Sequence, residues 1–304
     1  MTRQFFLYLS RQRGLRRWME TSSLSRKLTR RFIAGETLAE GIGVCRELSK
    51  QKMLGTLDHL GENVSTVEEA AESRDAILEA LKKIENESPN STVSIKLTQF
   101  GLDVSEDLCR ENVRQMVAKA SAIGSRVEMD MEASEYVDRT ISLVTLMRKE
   151  FGDHVRAVIQ AYLYRSDKDI ESLNELKVPV RLCKGAYNEP ASVAYPDKKD
   201  VDASYVHLMK TLLDHGAYPA IATHDPKIID EALRYVKEKK YDESRFEFQM
   251  LYGVRRDLQK QIVDAGYRMR LYVPYGTAWY PYFMRRLAER PANAIFLLRN
   301  LIRS

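Results

Sequence analysis

Residues 92–132 read TVSIKLTQFGLDVSEDLCRENVRQMVAKASAIGSRVEMDME. The stretch opens on an apolar run of strand length, Thr92 to Thr98, continues with helical spacing through Glu106 to Ala122, and closes on a second strand-length run, Arg126 to Glu132. Strand, helix and strand at this spacing argue for parallel pairing, because two parallel strands must be joined by a crossover long enough to hold a helix. The rhythm continues on both sides. The runs GTLDHLG, VRAVIQAYL, VPVRLCKG, YPAIATH, FEFQMLYG and RMRLYVP bring the strands to eight, and helical segments such as Val67 to Ile84, Glu135 to Phe151, Ala203 to His215, Pro226 to Lys239 and Arg256 to Ala265 separate them. Eight such units in roughly 240 residues is the size of a (β/α)8 barrel. A doubly wound sheet usually has fewer strands, and no GxGxxG fingerprint follows any of these.

A barrel carries its chemistry at the C-terminal ends of its strands, and polar residues gather there. Asp58 and Glu62 close the first run, Lys96 the second, Asp130 and Glu132 the third, and Gln160 the fourth. Arg181 and Lys184 close the fifth, Thr223 and His224 the sixth, Gln249 the seventh and Tyr272 the eighth. Any one of them has an ordinary explanation as a barrel-layer side chain or a loop cap. Together they predict one polar mouth with carboxylates, cations, amides and a histidine. A metal centre is not expected, because only His224 falls near the mouth while His59, His154, His207 and His215 are scattered. A Schiff-base lyase could use Lys96 or Lys184 as its nucleophile if the amine pKa were depressed. The many cations point instead to an anionic cofactor held together with an anionic substrate.

The last unit, Arg270 to Asn293, reads RLYVPYGTAWYPYFMRRLAERPAN. Leu271, Tyr272 and Val273 form a short strand that Pro274 and Gly276 are expected to break, and a helical pattern runs from Thr277 towards Pro291. Arg285, Arg286 and Glu289 fall within about one turn of that helix. Two guanidinium groups suit a planar carboxylate, which they bind bidentately. A solvated basic face with an Arg285 to Glu289 ion pair would have the same spacing.

Composition sets the frame around these motifs. The chain has 304 residues, 44% hydrophobic, with a formal net charge of +5. Acids and bases are interspersed through most of it, so nucleic-acid binding is not indicated. Cys45, Cys109 and Cys183 are few and far apart, which excludes a disulfide framework or a CxxC metal site and suggests a reducing compartment. No run reaches the length of a membrane-spanning helix. The first fifty residues read as helices, with Arg3, Arg11, Arg13, Arg16 and Arg17 interleaved with apolar residues and no acid before Glu20. An amphipathic anchor on an anionic membrane, a targeting peptide, and an arm that wraps the main domain all fit this pattern.

The segments VRLCKGAY, ATHD, FEFQMLYGV and LYVPYGTAWYPYFMRRLAE resemble those of proline dehydrogenase, and the similarity extends from Thr56 to Asn293. FIAGETLAE, Phe32 to Glu40, is similar to the arm that precedes the family's barrel. The resemblance implies an α/β fold, a distorted (βα)8 TIM-like barrel, with residues 1–50 as an N-terminal helical arm and residues 51–304 as the FAD-binding catalytic domain. It implies oxidation of L-proline to Δ1-pyrroline-5-carboxylate, the first step of proline catabolism to glutamate, by hydride transfer to flavin N5 with electrons passed on to a membrane quinone. The chain length resembles that of the monofunctional bacterial form. Another flavin-dependent amine oxidation on the same barrel is the alternative within this chemistry.

Residue by residue, the resemblance implies that Arg285, Arg286 and Lys96 hold the proline carboxylate, with Asp130 orienting Lys96. Tyr187, Leu251, Tyr272 and Tyr282 would surround the ring, Tyr272 also excluding a 4-hydroxyl. Glu289 would hold an arginine in place, and Glu62 would pair with Arg285 as a gate. Gln160, Arg181, Lys184, Gly185, Ala186, Thr223, His224 and Gln249 would line the FAD, with Arg181 near N5. Lys96, Asp130 or water would take the amine proton. The chain departs from the family pattern at Asn188, where tryptophan is common, and in a shorter turn between Gly276 and Tyr282. Use of a quinone implies a bacterial cytoplasmic protein with peripheral membrane contact, and a dehydrogenase that consumes the product is a candidate partner. A mitochondrial location is the lesser expectation, since little room precedes the arm.

Overall fold

The computed structural model describes residues 30–61, 63–88 and 90–289, with the backbone alone for 285–289. The sequence-level expectations for Met1 to Glu20 and for Glu62 therefore fall outside the described residues.

Eight parallel strands close into a barrel in sequence order: β1 (Leu54–His59), β2 (Thr92–Ile95), β3 (Val127–Met129), β4 (Val155–Gln160), β5 (Val180–Cys183), β6 (Ala220–Ala222), β7 (Glu247–Leu251) and β8 (Met269–Tyr275). The ring closes where Leu54 to His59 pair in register with Arg270 to Tyr275. Helix α1 (Leu38–Lys50) precedes the barrel. Then α2 (Val67–Glu87), α3 (Glu106–Ala122), α4 (Val137–Phe151), α5 (Ser166–Glu175), α6 (Lys198–His215), α7 (Pro226–Lys239), α8 (Arg256–Asp264) and α9 (Trp279–Glu289) follow the strands one by one.

Local signals set several boundaries. Thr37 and Glu40 form a capping box on α1, Thr66 and Ser105 cap α2 and α3 through their hydroxyls, and Asp225 with Pro226 starts α7. Two expectations need correction. Pro274 does not break the last strand, which runs on to Tyr275 with Pro274 opposite Asp58; it has no amide to donate, but its carbonyl still accepts a bond from the Ala34 N–H at 2.9 Å. Helix α5 was not among the expected helices, because its ten residues, SDKDIESLNE, show too short an apolar stripe to stand out.

The apolar core lies between strands and helices rather than inside the barrel. Leu57, Val93, Val127, Val155, Leu182, Phe248 and Leu271 are all buried and belong to one cluster with the inner faces of the helices. Each such side chain contributes roughly 1.5–3 kcal/mol by burial. The alternate residues of the same strands face the other way, and they are polar or charged: Thr92 and Ser94, Glu128 and Asp130, Arg156 and Gln160, Glu247 and Gln249, Arg270 and Tyr272. Barrel interiors are usually filled by branched apolar side chains. Here ion pairs fill much of that space.

The barrel is also distorted at its seam. Helix α1 packs on β1 and β8, where the helix following β8 would lie in a regular barrel. Helix α9 instead joins a second apolar cluster with Phe32 and Ile33, Leu60 beyond β1, Leu251 at the end of β7, and Val254. That cluster includes residues at or just beyond the C-terminal ends of β1 and β7, so the helix bearing Arg285 and Arg286 lies at that rim of the barrel.

Candidate active site

The barrel interior holds two connected layers of charge. In the lower one, Arg156 Nη1 lies 2.6 Å from Glu247 Oε1 and 3.3 Å from Glu128 Oε2, and Arg270 Nε donates to Glu247 at 3.0 Å. Thr92 donates to Glu128 at 2.9 Å, while Arg270 also reaches the Gly55 carbonyl at 2.9 Å. Burial opposes the Glu128 charge, but Arg156, Arg181 and Arg270 outweigh it and hold the carboxyl down to about 2. The sequence reading gave no role to Glu128, Arg156, Glu247 or Arg270. The signal was present as charges alternating with apolar residues inside strand-length runs, RVEMDME, VRAVIQ, FEFQML and RMRLYV.

The upper layer opens to the mouth. Arg181 binds Glu128 at 3.1 Å, Ser94 Oγ at 3.0 Å and Gln249 Oε1 at 3.3 Å, and pairs closely with Asp130. Asp130 also accepts bonds from Ser94 at 2.8 Å and from Tyr272 at 2.7 Å. Lys96 Nζ sits between Asp58 at 3.3 Å, Asp130 at 3.4 Å and the Tyr272 hydroxyl at 3.4 Å. Four strands thus converge on one ammonium group. Burial works against its charge, yet Asp58, Tyr272 and Asp130 raise the Lys96 pKa well above the usual lysine value. An amine held protonated is a poor nucleophile, which argues against the Schiff-base alternative at Lys96. Burial likewise opposes charge on Asp130, but Arg181 and Lys96 lower its pKa.

Arg181, Gln249 and Tyr272 lie within their strands, a layer deeper than the strand tips where the sequence reading put them. Asp58, which the sequence reading left without a role, is drawn into the centre of the site. Arg285, Arg286 and Glu289 are on α9, and their side chains fall outside the description. Tyr282 is buried in the second cluster.

The expected cofactor residues gather on the side of β4 to β7. Gln160 uses both ends of its amide, donating to the Glu132 carbonyl at 2.9 Å and accepting from the Ala186 N–H at 3.2 Å. Gly185 has φ +120°, and a Cβ there would lie 2.3 Å from the Tyr162 ring, so the turn carrying Ala186 and Tyr187 needs glycine. His224 Nε2 accepts the Leu251 N–H at 2.9 Å, which ties the end of β6 to the end of β7. Thr223 caps the turn through the Asp225 N–H at 3.1 Å. Lys184 pairs with Asp202 and, at 2.9 Å, with Asp225. Beside this pair a groove of about 800 Å3, lined in part by Lys198, Asp202, Lys210, Asp225 and Lys227, runs between α6 and α7. Among the described residues, no group of three or more His, Cys, Asp or Glu side chains could hold a metal ion.

The family described as Proline dehydrogenase is matched over residues 42–299 of the chain. The chain belongs to the proline dehydrogenase family. It is 41% identical over 303 residues to Proline dehydrogenase 1 of Bacillus subtilis (strain 168), with all of both chains covered. To Proline dehydrogenase of Deinococcus radiodurans it is 42% identical over 280 residues, 91% of this chain and 90% of the other. Among solved structures it is similar to proline utilization A (PutA) from Bdellovibrio bacteriovorus inactivated by N-propargylglycine, with a TM-score of 0.82 and 29% identity over 87% of this chain. The chain spans about a third of that longer protein, 33%. Full-length similarity to the bacillary enzymes makes it a bacterial-type oxidoreductase of the proline dehydrogenase family, and the closed parallel barrel is the TIM-like fold that the resemblance implied.

Proposed function

We propose that this protein oxidises L-proline to Δ1-pyrroline-5-carboxylate with FAD as cofactor, the first step of proline catabolism to glutamate. The observation that carries the reading is the Lys96 ammonium, fixed by Asp58, Asp130 and Tyr272 at the mouth whose rim α9 joins. Asp58 and Asp130 keep Lys96 charged, Arg181 balances the second carboxylate, and Arg285 and Arg286 would add the positive charge and the bidentate contacts that a carboxylate ligand needs.

The residues fit the cofactor. Gly185 lets the turn carrying Ala186 and Tyr187 pack directly against Tyr162, and Lys184 and Lys198, each paired with Asp202 and Asp225, lie beside the α6/α7 groove where a diphosphate would be held. Gln160, Arg181, Lys184, Gly185, Ala186, Thr223, His224 and Gln249 would hold it. FAD held there would supply the hydride acceptor for the C5–H bond of proline. Lys96, Arg285 and Arg286 orient the carboxylate, and Tyr187, Leu251, Tyr272 and Tyr282 confine the ring so that the C5–H bond has one direction to break. Asp130 fixes Lys96, while Glu289 and Glu62 position the arginines.

We extend the proposal to the protein's surroundings. Electrons pass to a membrane quinone, residues 1–50 form an arm in peripheral contact with the bacterial membrane from the cytoplasmic side, residues 51–304 form the catalytic domain, and the product goes to a pyrroline-5-carboxylate dehydrogenase. No helix among the described residues is long and apolar enough to cross a membrane. The deciding experiment is the visible spectrum of the purified protein: a flavin band that bleaches on adding L-proline is expected, and a protein that takes up no flavin sinks the proposal.

A further inference from the structure

The two carboxylates that flank Lys96 are not equivalent. Asp130 is saturated, with Lys96, Tyr272, Ser94 and Arg181 all donating to it. Asp58 is only half engaged. Its Oδ1 accepts from Lys96 at 3.3 Å, while its Oδ2 is buried without a hydrogen-bond partner. The Asp58 side chain is 1% exposed and that of Lys96 13%, so of the pair it is Lys96 that a ligand in the mouth meets first.

Given proline oxidation, on which this inference rests, the site faces a proton problem. Proline at neutral pH carries a ring ammonium, whose nitrogen has no free electron pair to push the C5 hydride away. One proton must leave first. Lys96 is fully protonated and cannot keep it. Asp130 is held ionised by two cations and is a poor base. We propose that Asp58 takes this proton through Lys96. Lys96 Nζ gives one proton to the Asp58 carboxylate as it receives one from the substrate nitrogen; an N–H bond breaks on the substrate, an O–H bond forms on Asp58, and no net charge enters or leaves the site.

The surroundings of Asp58 favour this role. Burial raises its pKa, Lys96 pulls the other way, the Asp130 charge adds to the rise, and Tyr272 lowers it; the net shift is upward. Tyr275 from β8 and His59 on its own strand are the other titratable groups in its field. A carboxyl poised in this way accepts a proton more readily than an ordinary aspartate would, while one already paired to arginine does not.

The test uses the flavin-loaded enzyme and the variant Asp58→Asn, which preserves shape and an oxygen for Lys96 but cannot take a proton. With saturating proline, the rate of flavin bleaching in the wild-type protein is expected to level off above the ionisation of Asp58. In the variant it should keep climbing about tenfold per pH unit, following the free amine. Binding of tetrahydrofuran-2-carboxylate, which has no amine proton to lose, should stay within about twofold of wild type. A variant with the wild-type pH profile overturns the proposal. If the variant does not fold, infrared difference spectra of the wild-type protein decide: proline, but not tetrahydrofuran-2-carboxylate, should bring up a protonated-carboxyl band that shifts on isotopic labelling of aspartate, and its absence overturns the proposal equally. A wild-type flavin that proline does not bleach removes the proposed function itself, whereas bleaching with an unaltered pH profile in the Asp58→Asn variant removes only the role of Asp58.

Discussion

Tyr272 and Asp130 come from β8 and β3, which are not neighbours in the barrel, yet the phenol donates to the carboxylate at 2.7 Å across the mouth. The bond ties the tyrosine proposed to confine the ring to the carboxylate that fixes Lys96. Replacing Tyr272 with Phe removes a hydrogen bond to a charged group in a largely buried site, which costs about 1.5–3 kcal/mol. The urea midpoint should fall with the slope unchanged. An unchanged midpoint would mean that water replaces the phenol at no cost.

The lower charge layer depends on Glu128, which faces Arg156 and Arg181 at 3.3 and 3.1 Å. Glu128→Gln keeps the shape and removes the charge, leaving guanidinium groups in the barrel with one anion fewer. Breaking a buried pair in this way costs about 3–5 kcal/mol. Thermal unfolding of this variant should show a clear loss, and Glu128→Gln with Arg156→Met together should recover part of it, because no unmatched charge then remains.

Acid should act through the same residue. The Glu128 pKa falls from an ordinary 4.5 to about 2 on folding. A depressed carboxylate contributes stability that is complete above its unfolded pKa and lost as pH falls towards its folded one. Stability should therefore decline between about pH 4.5 and 2, and more steeply in the wild-type protein than in Glu128→Gln. Equal slopes in acid-titrated denaturation would show that other groups control the transition.

Gly253 bears on how the residues ahead of the barrel dock. Its φ is +75°, and a Cβ at this position would lie 1.7 Å from the Arg31 carbonyl oxygen. Gly253→Ala cannot be accommodated by a side-chain adjustment, so the segment carrying Phe32 and Ile33 must shift away from the second cluster. The expected cost is about 1–3 kcal/mol, and limited proteolysis should open near Arg31 in the variant first. A protease-resistant variant of normal stability would refute the close approach.

Arg285→Met and Arg286→Met test the proposed carboxylate clamp. Each charged hydrogen bond to a carboxylate contributes about 1.5–3 kcal/mol, so the apparent KM for proline should rise roughly ten- to hundredfold in each variant. A KM within twofold of wild type, about 0.4 kcal/mol, would remove that arginine from the clamp.

The sequence by itself determined the fold. Alternation of strand and helix requires only local propensity and apolar periodicity, and these placed eight strands in order and bounded Glu106–Ala122 and Pro226–Lys239 as the structure has them. It also marked Lys96, Asp130 and Tyr272 as residues of one mouth, because a parallel barrel brings all its strand ends to the same side. Tertiary structure decided the rest. Ion pairs such as Arg156 with Glu247 join residues 91 positions apart, and no local pattern says which charge in one strand meets which in another. The difference between Asp58 and Asp130 has the same origin: both are aspartates near strand ends, and only the packed barrel gives one of them an arginine and leaves the other with an unbonded oxygen. Periodicity reports which face of a strand is buried, whereas the ionisation of a buried group is set by the neighbours that folding brings to it.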